Sequence, residues 1–97
     1  MTIEYHPALE AELREIRDYY ETRSSGLGEE FVQAFDNQIQ KIAVMPERWM
    51  IVTADIRRSL MRRFPYVIFF RVVEPEVLRI TVIKHEKRHP HFGMGRR

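Results

Sequence analysis

Cysteine is absent from the 97 residues. That excludes a disulfide framework and any thiolate metal site, and it accords with a reducing compartment. Glycine numbers only four and proline five. No glycine-rich loop that could cradle a phosphate occurs, nor any repeat or low-complexity tract. Long apolar runs are missing too. The longest, Val67–Phe70 extended to Val73 across Arg71, is far too short to span a bilayer. At the N-terminus Glu4 and His6 interrupt any apolar run, so no signal peptide is expected. Together these absences predict a cytoplasmic protein with no membrane partner and no cofactor.

The last scarcity is local. Residues 51–97 hold only four of the fourteen carboxylates but eleven of the sixteen Lys/Arg residues. Residues 1–50 show the reverse, ten carboxylates against five cations. A concentrated cationic surface on a small domain predicts an anionic partner, either nucleic acid or an acidic protein segment. Eleven aromatics and 44% apolar residues suffice for one core. The expected organisation is a single domain over residues 1–92 and a flexible tail over 93–97.

Apolar spacing predicts the elements. Thr2–Tyr5 is a short strand candidate, and Pro7 suits the first position of a helix. Leu9, Leu13, Ile16 and Tyr20 recur at helical steps, as do Phe31, Phe35, Ile39 and Ile42 in a second helix running from about Glu29 to Pro46. The link Arg23–Gly28 is a turn, so the two helices form an αα-hairpin. Arg57–Arg63 is a basic strand candidate. Tyr66–Val73, apolar throughout except for Arg71, suits a central strand. Val77–Ile83 alternates, with Leu78, Ile80 and Val82 expected on one face and Arg79 and Thr81 on the other. The expected fold is α+β, in the order β-α-α-β-β-β, a small antiparallel sheet with the helical hairpin on one face.

Two constellations could carry function. Arg57, Arg58, Arg62, Arg63 and Arg71 are five arginines within fifteen residues, with no carboxylate between them. Guanidinium forks match phosphate and carboxylate geometry. The same residues also suit a charged edge strand that blocks unwanted pairing. The second is His85-Glu86-Lys87-Arg88-His89-Pro90-His91. Histidines among cations could transfer protons and hold phosphate, as RNA cleavage through its own 2′-hydroxyl requires. They equally suit a solvated strand end. A metal is not expected there, since Lys84, Lys87 and Arg88 would repel a dication.

At four places the chain resembles a known family. These are Leu13-x-x-Ile16-x-x-Tyr19-Tyr20, Leu27-Gly28-x-x-Phe31, Arg58-x-x-x-x-Arg63-Phe64-Pro65-Tyr66-x-Ile68, and His85-x-x-Arg88-x-Pro90. In that order, from Tyr5 to Phe92, they are similar to the RelE/ParE superfamily of toxins from bacterial type II toxin–antitoxin modules. The likeness is greatest to the ParE-like, plasmid-stabilisation branch. The resemblance implies growth inhibition by one of two routes: ParE-type members inhibit DNA gyrase, and RelE-type members cut messenger RNA on the ribosome. Three positions where the ribonuclease branch typically carries lysine, arginine and tyrosine hold Leu60, Val67 and Phe92 here. That favours a toxin that binds gyrase and performs no chemistry, with Arg58, Arg62, Arg63, His85, Lys87 and Arg88 as contacts. The alternative is a ribosome-dependent endoribonuclease using His85, Arg88 and His91. A third reading is an inactive relative kept as an antitoxin-binding partner. The resemblance also implies a cognate antitoxin with an acidic, amphipathic C-terminal segment, expected to meet Arg57, Arg71 and Arg79.

Overall fold

The computed structural model describes all 97 residues. Strand β1 spans Thr2–Tyr5, and helices α1 and α2 span Leu9–Arg23 and Leu27–Val44. A 3₁₀ turn at Pro46–Arg48 leads into β2 (Ile51–Thr53), β3 (Ile56–Leu60), β4 (Tyr66–Glu74) and β5 (Val77–His85). The expected class and order of elements are present. The strands form one sheet in the order β1-β5-β4-β3-β2.

Four details differ from the sequence expectation. The sheet is mixed: β1 lies parallel to β5, with Thr2 beside Val77 and Tyr5 beside Ile80. A short edge strand, β2, was not expected; it pairs with β3. Pro7 precedes α1 instead of opening it, and the His6 Nδ1 accepts from the Ala8 amide at 3.1 Å. Finally, α2 starts at Leu27, ahead of Glu29.

That early start has a local cause. Gly26 takes φ 85°, a left-handed conformation open to glycine at no steric cost. The Glu21 carboxylate then accepts from the Gly26 and Gly28 amides at 2.8 and 3.0 Å. An acceptor from the end of α1 thereby satisfies free donors at the start of α2, and its charge suits the positive helix end. Gly28 also lets the helices cross closely. A Cβ there would stand 2.5 Å from the Arg17 carbonyl oxygen.

The helices cover one face of the sheet. Phe31, Phe35, Ile39 and Ile42 of α2 and Leu9 of α1 are buried against Ile68, Phe70, Leu78, Ile80 and Ile83. Tyr20 lies between Phe31 and Phe64, with ring centroids 5.6 and 4.9 Å away. In β5 the strict alternation fails. Phe69 pairs with Val82 but Phe70 pairs with Ile80, so Thr81 is an extra residue. Such a bulge resets which side chains share a face. Val82 therefore turns away from Leu78 and Ile80 and joins Ile56, Val67 and Phe69 in a second cluster, which Phe92 and Met94 cover. Ile83 takes its place on the helix side.

Candidate functional site

The face of the sheet away from the helices carries part of the cationic half of the sequence. Residues paired directly across strands share a face. Arg58 stands opposite Phe69, and Leu60 opposite Val67, so both lie on this side. Val67 pairs with Lys84, and Arg71 with Arg79.

Pairing divides the arginines sharply. Arg71 donates to Asp55 at 3.0 and 3.1 Å, and that contact holds the Asp55 carboxyl below the usual aspartate range. Arg79 donates to Glu4 at 2.6 Å. Arg63 pairs with Glu30 of α2. Arg57 points the other way and donates to the carbonyls of Glu47 and Trp49 at 2.8 and 2.7 Å, closing the 3₁₀ turn against the sheet. Arg58, Arg62, Lys87 and Arg88 have no carboxylate within 4.0 Å.

The arginine run is also not one strand. β3 ends at Leu60, and Arg62 and Arg63 lie in the bend before Tyr66. Met61 turns into the core, while its amide still donates to the Tyr66 carbonyl at 2.9 Å. Arg62 and Arg63 border a crevice of about 170 Å³ beside Lys41 and Gln38 of α2. They are separate from Arg58, His85 and Arg88, which share a cavity of about 210 Å³ floored by Val67 and Phe69.

The C-terminal segment forms one wall of that cavity, and a lysine organises it. Lys84 is only 7% exposed. Its ammonium donates to the carbonyls of Pro90 at 2.7 Å, His89 at 3.4 Å and Phe92 at 3.5 Å, and it lies 4.8 Å from the Phe69 ring. Burial pushes the amine below the ordinary lysine range; the three carbonyl oxygens favour its charged form. Phe92 stacks under the Arg88 guanidinium at 3.8 Å. Beyond it, Arg96 donates to Glu12 of α1 at 2.6 and 2.8 Å and to the Thr81 carbonyl at 3.2 Å. Arg96, within the 93–97 segment expected to be a flexible tail, thus contacts α1 and β5. Sequence reasoning missed Lys84 and Arg96 in these roles. The signal for Lys84 was a lysine directly after the apolar pair Val82–Ile83 near the end of a strand.

His85 lines this cavity and a second one of about 260 Å³ between α1 and the C-terminal segment, together with Arg88, Tyr66 and Phe92. Its Nδ1 accepts from the Lys87 amide at 3.0 Å, so the neutral ring carries its proton on Nε2. The His89 Nδ1 accepts likewise from the His91 amide at 3.1 Å. His91 lines neither cavity. The Tyr66 ring meets His85 edge-on at 5.4 Å, and burial raises its phenol above the ordinary range. Val67 is buried in the second cluster, Phe92 packs beside it and Leu60 is exposed. None of the three side chains can transfer a proton or hold a phosphate.

Comparison with known proteins places this geometry. Among solved structures, a chain titled "Chromosomal ParDE TA system from P. aeruginosa" is similar at a TM-score of 0.73 and 20% identity, covering 88% of this chain and 95% of that one. That likeness is one of fold. No curated protein sequence matches. The family model described as "ParE toxin of type II toxin-antitoxin system, parDE" matches residues 3–90. The chain therefore belongs to the ParE toxin family of type II toxin–antitoxin systems.

Proposed function

We propose that this protein is a cytoplasmic toxin that inhibits growth by binding DNA gyrase and is neutralised by a cognate antitoxin. The observation that carries the reading is the composition of the open sheet face. Arg58, Arg88 and His85 border one cavity there, while the three positions that the ribonuclease branch uses hold Leu60, Val67 and Phe92, which offer no acid, base or phosphate ligand. The face suits binding to an anionic partner and not bond cleavage. Arg62, Arg63 and Lys87 extend the contact candidates around it.

The antitoxin is expected to bring an acidic, amphipathic segment to the paired arginines. Arg71 and Arg79 stand side by side across β4 and β5, each already holding a carboxylate of this chain. Antitoxin carboxylates would exchange with Asp55 and Glu4 there. Arg57 already donates to two backbone carbonyls and would join only by giving one up.

A supercoiling assay with purified gyrase tests the function. The expected result is loss of supercoiling and accumulation of cleaved DNA at stoichiometric protein. Full supercoiling with no trapped cleavage overturns it. The ribonuclease reading retains one supporting observation, the shared cavity of His85 and Arg88. It requires cleavage of messenger on translating ribosomes that falls about tenfold or more in His85→Ala, a loss of roughly 1.4 kcal/mol of transition-state stabilisation.

A further inference from the structure

We propose that the cavity between Arg58 and Arg88 binds a single strand of DNA, with neighbouring phosphates on the two guanidinium groups and a base between them. The inference rests on the gyrase reading for the source of the strand. It assigns these two arginines to nucleic acid and not to the protein surface of the enzyme.

The arrangement of charge comes first. Arg58 lies on β3, and Arg88 follows β5, so the two stand on either side of the central strand β4. Two strand spacings, about 10 Å, lie between β3 and β5, and both long side chains border the same cavity, so they can meet neighbouring phosphates of one strand. Neither arginine is held by a carboxylate of the chain. Behind them the Lys84 ammonium adds positive potential, although its hydrogen bonds go to carbonyl oxygens. Glu86 is the one carboxylate in the lining, and it is exposed.

Shape and surface chemistry narrow the ligand. At about 210 Å³ the cavity is smaller than a drug-sized pocket. It takes a nucleotide-sized piece of an extended strand, and the rigid cylinder of a duplex cannot enter. The floor of Val67, Phe69 and Met94 is apolar and gives a ribose 2′-hydroxyl no partner, which favours deoxyribose. Flat groups border it: the His85 imidazole, and the Arg88 guanidinium already lying over Phe92 at 3.8 Å. Bases stack on such planes without regard to sequence. An acidic peptide would meet the same cations but leave those planes unused.

Preorganisation supports the same conclusion. Lys84 fixes the loop that carries Arg88, and Phe92 fixes the guanidinium plane, so little ordering remains to oppose binding.

Fluorescence anisotropy of a labelled oligothymidylate with the purified full-length protein, gyrase absent, tests this. Saturable binding is expected, weakening roughly sevenfold between 50 and 200 mM salt if two phosphates are neutralised. Arg58→Gln and Arg88→Gln should each weaken it about fivefold or more and flatten the salt dependence. Arg14→Gln, on the exposed side of α1, should leave it unchanged, and circular dichroism should show all three variants folded. Absence of binding, or an equal loss in Arg14→Gln, overturns the proposal. Equal affinity for oligouridylate overturns the assignment to DNA, and displacement by polyglutamate at matched charge shows an acidic-peptide site instead. Gyrase inhibition without oligonucleotide binding defeats this inference and spares the gyrase reading. Oligonucleotide binding without gyrase inhibition does the opposite.

Discussion

At the scale of single residues, the sequence reveals charge but not pairing. The run of arginines from Arg57 to Arg71 is plain in the chain, but their partners are distant: Asp55 is 16 positions from Arg71, and Glu4 is 75 from Arg79. No local pattern encodes such distances, so Arg58 and Arg88 could not be told from the paired arginines before the fold was seen. Gly28 was legible as a motif position, while its reason, the Arg17 carbonyl, was not. Gly28→Ala should destabilise the protein by about 1–3 kcal/mol, since a Cβ would force the helices apart. Urea unfolding measures this, and an unchanged midpoint would contradict it. Asp55 yields a pH prediction. Its carboxyl titrates lower in the folded state than in the unfolded chain, so the stabilisation is present above the ordinary aspartate value near 3.8 and is lost as pH falls through the folded value. The pair is half exposed, which limits the effect to less than about 1 kcal/mol. Asp55→Asn should lower stability slightly at pH 7 and flatten its decline between pH 4 and 2, as followed by unfolding across that range.

At the scale of elements, long periodic segments were readable and short or irregular ones were not. Helical spacing found α1 and α2, and apolar density found β4 and β5, because each buries a continuous stripe. β2 has only three residues, all exposed, and carries no burial signal. The bulge at Thr81 lay hidden because Leu78–Val82 alternates without a break, and only the partner strand shows where a residue was added. The C-terminal segment lacks periodicity of any kind. Its order comes from side chains elsewhere: Lys84 beneath it and Glu12 beyond it. Glu12→Gln should therefore cost roughly 1–2 kcal/mol by weakening a half-buried charged contact. Faster amide exchange confined to residues after Phe92 would mark the effect. Uniform loosening of the whole sheet would show that the contact has no local role.

For the molecule as a whole, the expected layering was correct and the asymmetry of its two faces was foreseeable. The helices carry most of the carboxylates, and the open face carries the free cations Arg58 and Arg88, in line with the split composition. Electrostatic attraction to an acidic antitoxin should fade as screening shortens its range to about 8 Å at physiological salt. Affinity measured by calorimetry should fall at least several-fold between 50 and 300 mM salt. A flat response would mean that apolar contacts dominate. The parallel pairing of β1 with β5 has a different consequence, one of timing. Strand β1 finds its neighbour only after β5 has been made, since Thr2 pairs with Val77. At ~10 residues per second that interval is roughly 8 s. The sheet cannot close before β5 has been made, and the Arg96–Glu12 contact, spanning 84 positions, waits longer still. A nascent copy thus cannot present the finished sheet until β5 has been made.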